Sequence, residues 1–488
     1  MTAPDAGLDE ATSDFLREKC GVFGIFGHPD AAAITALGLH ALQHRGEEAA
    51  GIVSFDGGRF HSERRMGLVG DTFSRKDVIE RLPGNSAVGH VRYSTTGETI
   101  LRNVQPLFAE LDAGGLAIAH NGNLTNGLTL RRDLIRKGAI CQSTSDTEVV
   151  LHLVARSLRS RFIDRFIDAL MQIEGAYSFV GLTNKKLIGA RDPLGIRPLV
   201  LGEFNGCYVL ASETCALDII GAKFIRDVEN GEIVLISDKG IQSIKPFEAI
   251  APRPCIFEYI YFSRPDSVVH GRNVYDVRKR FGAELAHESG VEADVIVPVP
   301  DSGVPAAIGF SQASGIPYEL GIIRNHYVGR TFIQPSQAIR ELGVRMKHSA
   351  NRAIIEGKRI VLLDDSIVRG TTSVKIVRMM REAGAKEVHF RIASPPITHP
   401  DYYGIDTPNR DNLLAARMNL AEMREYVGAD SLAFLSVDGV YRACGYAGRD
   451  NALPQFTDHC FTGDYPTPLT DLIGESAKQT IAMLAEAS

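Results

Sequence analysis

The stretch IVLLDDSIVRGTTS (360–373) constrains the fold of this chain more than any other. Four apolar residues lead without a break into two adjacent carboxylates, Asp364 and Asp365. A polar loop with Ser366, Arg369, Gly370, Thr371, Thr372 and Ser373 then opens a helix. A strand with no polar face must be covered on both sides, as in a parallel sheet between helices. Such sheets bind ligands at the carboxyl ends of their strands. There, N–H groups and hydroxyls at a helix start offer donors to phosphate, aided by the positive end of the helix dipole. Carboxylates just ahead of the loop suit ribose hydroxyls or a hard cation.

The same texture holds from about residue 255 onward. Periodicity predicts helices over 274–288, 303–314 and 372–383 around strands at 294–300, 359–365 and 387–393. VPVPDSGVPAA (297–307) places Asp301, Ser302 and Gly303 in a turn before a helix, a second donor-rich place for pyrophosphate. From 21 to about 252 the chain reads differently. Short β-type runs at 21–27, 87–94, 115–122, 176–183 and 207–213 alternate with amphipathic helices at 31–42, 147–158 and 162–172. This pattern predicts two stacked sheets with helical outer layers. The prolines of APRP (251–254) mark the junction, and residues 471–488 read as a terminal helix.

A length of 488 residues exceeds what one core organises. The net charge of −6 offers no global attraction to nucleic acid or an anionic membrane. No apolar run reaches the roughly 18 residues that span a bilayer. Seven scattered cysteines without a C-x-x-C pair argue for a reducing, cytoplasmic setting rather than a disulfide framework. Residues 1–19 are polar and acid-rich, with no apolar core of a secretory signal.

Four features of the first half carry chemistry. Cys20 heads a strand; GHVRYSTTG (89–97) puts Arg92 and Tyr93 at a strand end; AHNGNL (119–124) closes a strand on Asn121 and Gly122; STSDTE (143–148) sets Asp146 at a helix start. Taken singly, the cysteine is buried filler, Asn-Gly a hairpin turn and Asp146 an N-cap. Together and in this order they resemble the class II glutamine amidotransferases, which carry a four-layer αββα N-terminal-nucleophile hydrolase domain. The resemblance implies that residues 1–19 are a removable pro-segment and that Cys20 is the nucleophile. Its own α-amino group, with a pKa near 8, would then be the base. It further implies that Asn121 and Gly122 form the oxyanion hole, that Arg92 clamps the glutamine α-carboxylate and that Asp146 holds its α-ammonium.

In turn, the 360–373 motif resembles the phosphoribosyl pyrophosphate loop of type I phosphoribosyltransferases. The succession of the two domains, 20–252 and 253–470, resembles the family of glutamine phosphoribosylpyrophosphate amidotransferases. The implied reaction joins glutamine, 5-phosphoribosyl 1-pyrophosphate and water to give 5-phosphoribosylamine, glutamate and pyrophosphate, the committed step of de novo purine synthesis. By the same resemblance, Asp301, Ser302, Gly303, Asp364, Asp365, Ser366, Arg369, Gly370 and Thr371 through Ser373 hold the activated sugar. Mg2+ is expected at Ser302, Asp364 and Asp365. Lys347 falls in a cationic loop that closes over the substrate, and Tyr93 in the segment that couples an ammonia channel to the second site. Homotetramers or homodimers inhibited by purine nucleotides are the family expectation, with neither nucleic acid nor membrane as partner. Two rivals lack support: a hexosamine-forming synthase needs a sugar-isomerase domain in place of LLDDSIVRGTTS. A purine-responsive regulatory protein with a phosphoribosyltransferase-type module needs neither Cys20 nor Asn121–Gly122.

One branch of the family carries a structural [4Fe–4S] cluster on four cysteines. Cys255 and Cys460 stand at matching positions, but Asp401 and Thr457 occupy the other two, with His459 beside Cys460. Two readings stay open: an atypical cluster on Cys255, Asp401, His459 and Cys460, or two buried free cysteines, the simpler of the two.

Overall fold

The computed structural model describes residues 20–93, 100–112, 114–325, 348–405, 407 and 409–472. Their contacts form two compact units, one of residues 20–277, 399–407 and 449–472, the other of 278–398 and 409–448. The expected pro-segment 1–19, Lys347 and residues 473–488 of the expected terminal helix lie outside the described residues.

The first unit is built on two antiparallel sheets. The seven-stranded sheet runs in the order Lys223–Asp227, Val200–Phe204, Cys207–Ala211, Gly21–Phe26, Ser86–Arg92, Ala49–Phe55 and Phe60–Met66. The six-stranded sheet runs Gly240–Ile244, Ile233–Ser237, Leu187–Arg191, Gly175–Thr183, Gly114–Leu124 and Leu107–Leu111. Alternate residues of a strand face opposite ways, and here each face meets a different partner. Phe23, Ile25 and Ile52 pack with Leu39 of the helix Ala31–Ala41, whereas Val22 and Val53 turn inward. On the second sheet, Ile118, Phe179 and Leu235 pack with Val150 and Phe166 of the helices Thr147–Arg156 and Phe162–Leu170. Their neighbours Ala117, Ala119, Val180 and Val234 meet Val22 and Val53 in one inner cluster. Helix, sheet, sheet and helix are thus four layers, as the sequence predicts. Gly24 sets the sheet spacing: a Cβ there would stand 2.7 Å from Val180 Cγ1.

The second unit holds four parallel strands in the order Val295–Pro298, Arg359–Asp364, Glu387–Ile392 and Ser431–Phe434. Val297, Ile360, Leu362, Val388 and Phe390 form its core with Ile376 and Met380 of the helix Thr371–Glu382 and Val427 of Leu420–Val427. The strand Arg359–Asp364 is central and buried along its apolar length, as its unbroken apolar run requires. No helix of the described residues is long and apolar enough to cross a membrane.

Candidate active sites

Cys20 directly precedes the strand Gly21–Phe26, at the end where Gly21 pairs with Val91 next to Arg92. Its φ is 89°, a left-handed conformation that is unusual for a residue with a side chain. Its N–H donates to the Arg45 carbonyl at 2.9 Å. The Arg45 side chain is fully buried and bonds Glu213 and Glu258, the latter at 2.6 Å, while Arg197 reaches Glu258 at 3.3 Å. Burial disfavours the charge on Glu213, but Arg45 and His44 outweigh it and hold the carboxyl far below its ordinary range. A locked ion network therefore fixes the carbonyl that orients the Cys20 nitrogen.

Asn121 and Gly122 sit in the strand Gly114–Leu124, paired with Ser178 and Tyr177. They are not a hairpin turn. Ala117 and Ala119 face the inner layer, so Asn121, in step with them, turns its carboxamide the same way, towards the sheet headed by Cys20. That carboxamide is fully buried, and neither its Nδ2 nor its Oδ1 has a hydrogen-bond partner among the described residues. Such orphans are costly, so an amide kept this way points to a ligand. The backbone adds a second donor. The strand Leu107–Leu111 pairs only as far as Ile118, leaving the edge beyond it to side chains. His120 N–H donates to Gln105 Oε1 at 2.8 Å, and Leu124 N–H to Asp146 Oδ2 at 3.0 Å. Gly122 lies between them in the same phase, so its N–H faces that edge. Its φ of 137° and the 2.1 Å from a hypothetical Cβ to the Ala176 carbonyl explain why only glycine fits.

Asp146 immediately precedes the helix Thr147–Arg156, yet its carboxylate makes no capping bond. Besides Leu124 N–H it faces His120 Nδ1 at 3.6 Å. Burial raises its pKa, but His120 and the Leu124 and Thr147 N–H groups prevail and leave it below the usual 3.8. Arg92 ends the strand Ser86–Arg92. It donates from Nη1 to the Asn103 carbonyl at 2.7 Å and leaves a buried Nε without a partner among the described residues. Asn103 in turn bonds both Thr144 N and Thr144 Oγ1 at 2.9 Å, tying the Arg92 side to the loop before Asp146. Tyr93 is buried beside Arg92, and residues 94–99 of its loop lie outside the described residues.

In the second unit the ends of two neighbouring strands converge. A Cβ on Gly303 would stand 2.5 Å from the Leu363 carbonyl, so the 301–303 turn lies against the strand bearing Asp364. Asp364 and Asp365 are nearly buried, and Asp364 Oδ1 accepts the Asp365 N–H at 2.9 Å. Burial pushes the Asp365 carboxyl up, opposed by hydrogen bonds from Ser302 and Ser366 and by the Arg278 charge. Two crowded, desolvated carboxylates beside a serine hydroxyl form a donor set that fits Mg2+, whose charge would relieve that cost. Gly370, at φ 81°, turns the chain into the helix Thr371–Glu382, whose first turn carries Thr371, Thr372 and Ser373. Asp301 is exposed and ion-paired with Arg324.

A glutamine amidotransferase domain matches residues 90–218, and a phosphoribosyl transferase domain matches 266–394. The amidophosphoribosyltransferase of Rhizobium etli is 66% identical over 483 residues, 98% of this chain and 97% of its own. That of Bacillus subtilis is 51% identical over 455 residues, 93% and 95% of the two chains. The solved glutamine phosphoribosylpyrophosphate amidotransferase of B. subtilis, in complex with ADP and GMP, matches with a TM-score of 0.87 at 51% identity. That match covers 92% of this chain and 98% of the other. The chain belongs to the amidophosphoribosyltransferase family.

Cys255, Asp401, His459 and Cys460 are each at most 2% exposed. His459 Nε2 lies 2.9 Å from Asp401 Oδ2 and 3.4 Å from Cys460 Sγ. The other carboxylate oxygen of Asp401 accepts the Tyr403 and Ile405 N–H groups at 2.8 and 2.7 Å. The Thr457 hydroxyl donates to the Arg253 carbonyl instead. Two thiols, a carboxylate engaged with backbone donors and an imidazole do not fit a cluster held by four thiolates. Sequence reasoning also missed Arg45, Asn103, Gln105 and His120. Only His120, adjacent to Asn121 in AHNGNL, carried a signal.

Proposed function

We propose that glutamine is hydrolysed at the Cys20 site and that the ammonia aminates phosphoribosyl pyrophosphate at the Asp364–Asp365 site. The Cys20 thiol gives its proton to its own freed α-amino group and attacks the carboxamide carbon. Charge then collects on the carboxamide oxygen, where Asn121 Nδ2–H and Gly122 N–H stabilise it. The protonated amine returns its proton to the leaving nitrogen as the C–N bond breaks, releasing ammonia and leaving a thioester. Water activated by the same amine cleaves the thioester to glutamate. Arg92 and Asp146 hold the two ends of the amino acid by charge-assisted hydrogen bonds.

At the second site the 301–303 turn and residues 369–373 grip the pyrophosphate and 5-phosphate, and Asp364 and Asp365 orient the ribose. Ser302, Asp364 and Asp365 would hold Mg2+, which would supply charge neutralisation for the departing pyrophosphate. Ammonia attacks C1 as that bond breaks. Purine-nucleotide inhibition, a cytoplasmic homo-oligomer and a cationic role for Lys347 complete the reading. The ADP and GMP held by the solved B. subtilis relative support the first of these.

The observation that carries the reading is the buried, unpartnered Asn121 carboxamide beside the glycine-only Gly122. Intact-mass measurement of purified active protein tests it: the mature chain should begin at Cys20. Fully active protein that retains Met1 would overturn it.

A further inference from the structure

Outside both sites, three side chains of different metal-binding types converge. Cys141 Sγ, a Glu148 carboxylate oxygen and a His152 ring nitrogen all lie within 4.8 Å of one another. Glu148 and His152 are four residues apart on the helix Thr147–Arg156, so both project from one face, with His152 Nε2 3.8 Å from Glu148 Oε1. Ligand atoms around a tetrahedral ion with bonds of about 2.0–2.3 Å stand roughly 3.3–3.8 Å apart, so only small side-chain adjustments separate this trio from coordination.

The trio is held in place independently of any ion. Glu148 Oε1 accepts the Gln142 N–H at 2.6 Å, and Oε2 accepts Ser143 N–H and Oγ–H at 2.9 and 2.8 Å. These bonds draw the loop carrying Cys141 onto the helix and leave lone-pair capacity on Oε1, the oxygen nearer His152. Arg131 Nη1, from the helix Gly127–Arg136, stands 3.6 Å from Oε2, on the opposite oxygen. Cys141 and His152 are partly exposed, which gives an ion an entry path.

We propose that Cys141, Glu148 and His152 bind one zinc-class divalent ion, with water at the fourth position. One thiol, one imidazole and one carboxylate suit zinc or cobalt better than magnesium or calcium, which prefer oxygen donors. Binding exchanges the Cys141 thiol proton for the metal, and that proton leaves to solvent. The bound ion would pin residues 141–148 from outside, on the loop that presents Asp146 to the glutamine site.

Cobalt(II) titration of the metal-free full chain tests the site. Wild type and Cys20→Ala should take up one equivalent with a thiolate-to-cobalt charge-transfer band in the near ultraviolet. Cys141→Ser should lose the band, and His152→Ala should weaken binding by at least roughly tenfold. Glu148 is left intact because it also anchors the loop. Circular dichroism of both variants checks the fold, and His152→Asn is the milder second variant. A band that survives Cys141→Ser places the ion elsewhere and overturns the proposal. So does a titration with no saturation below millimolar cobalt, or equal affinity of wild type and both His152 variants.

Discussion

Replacing Asn121 with alanine separates a catalytic from a structural role, because the two predict opposite changes in stability. The substitution removes roughly 25 Å3 of buried side chain, which at about 24 cal/mol per Å3 costs ~0.6 kcal/mol. It also removes two buried polar atoms that have no partner, each destabilising the folded state by about 1–3 kcal/mol. The balance favours the variant, so its melting temperature should equal or exceed that of the wild type. At ~2–4 °C per kcal/mol for a domain of this size, the rise should be at least about 3 °C. Loss of one oxyanion donor should meanwhile lower glutamine-dependent kcat by about 10²–10³-fold, or ~2.7–4 kcal/mol. The assays are thermal unfolding by differential scanning fluorimetry and glutamate release under saturating glutamine. Ammonia-dependent phosphoribosylamine formation serves as the control and should stay near the wild-type rate. A melting temperature several degrees lower, with glutaminase activity within tenfold of wild type, would show Asn121 to be a packing residue and refute the argument.

Three further outcomes are expected. Cys20→Ala should abolish glutaminase activity while sparing ammonia-dependent synthesis, and Asp365→Asn should do the reverse; loss of both activities in either folded variant would contradict the division of labour. Asp146 is held below its ordinary pKa of 3.8 by His120 and two N–H donors despite its burial. A depressed carboxyl pKa keeps its charge as pH falls through the normal carboxylate range, so the KM for glutamine should stay flat down to about pH 4 and rise only below it. Asp146→Asn should raise that KM at every pH, by about 10–100-fold if the bond to the ammonium is worth ~1.5–3 kcal/mol. Finally, purified protein should carry neither acid-labile sulfide nor an absorption band near 400 nm, because Asp401 and Thr457 replace two of the four thiols; four irons per chain would reverse that reading.

How much of this was legible in the sequence differs between the two sites. The second site is local: an acidic pair, a glycine and four hydroxyl residues occupy ten consecutive positions, 364–373, and strand geometry alone brings them to one end of the sheet. The glutamine site is assembled from positions 20, 92, 121 and 146, whose order was readable but whose roles in isolation were ambiguous. Asp146 looked like an N-cap, and only the register of the strand Gly114–Leu124 shows its carboxylate bonded to Leu124 N–H instead.

The sequence by itself determined the layer architecture, because the period of its apolar residues specifies which faces must be buried. It also determined which residue types were available for nucleophile, anion cradle and cation. Tertiary structure alone decided that Arg45 would lie fully buried between Glu213 and Glu258 and present its carbonyl to the Cys20 nitrogen. It likewise decided that the Asn121 carboxamide would have no partner among the described residues. Both depend on groups 25 to more than 200 positions apart, and neither burial nor an unmade hydrogen bond has any periodicity along the chain.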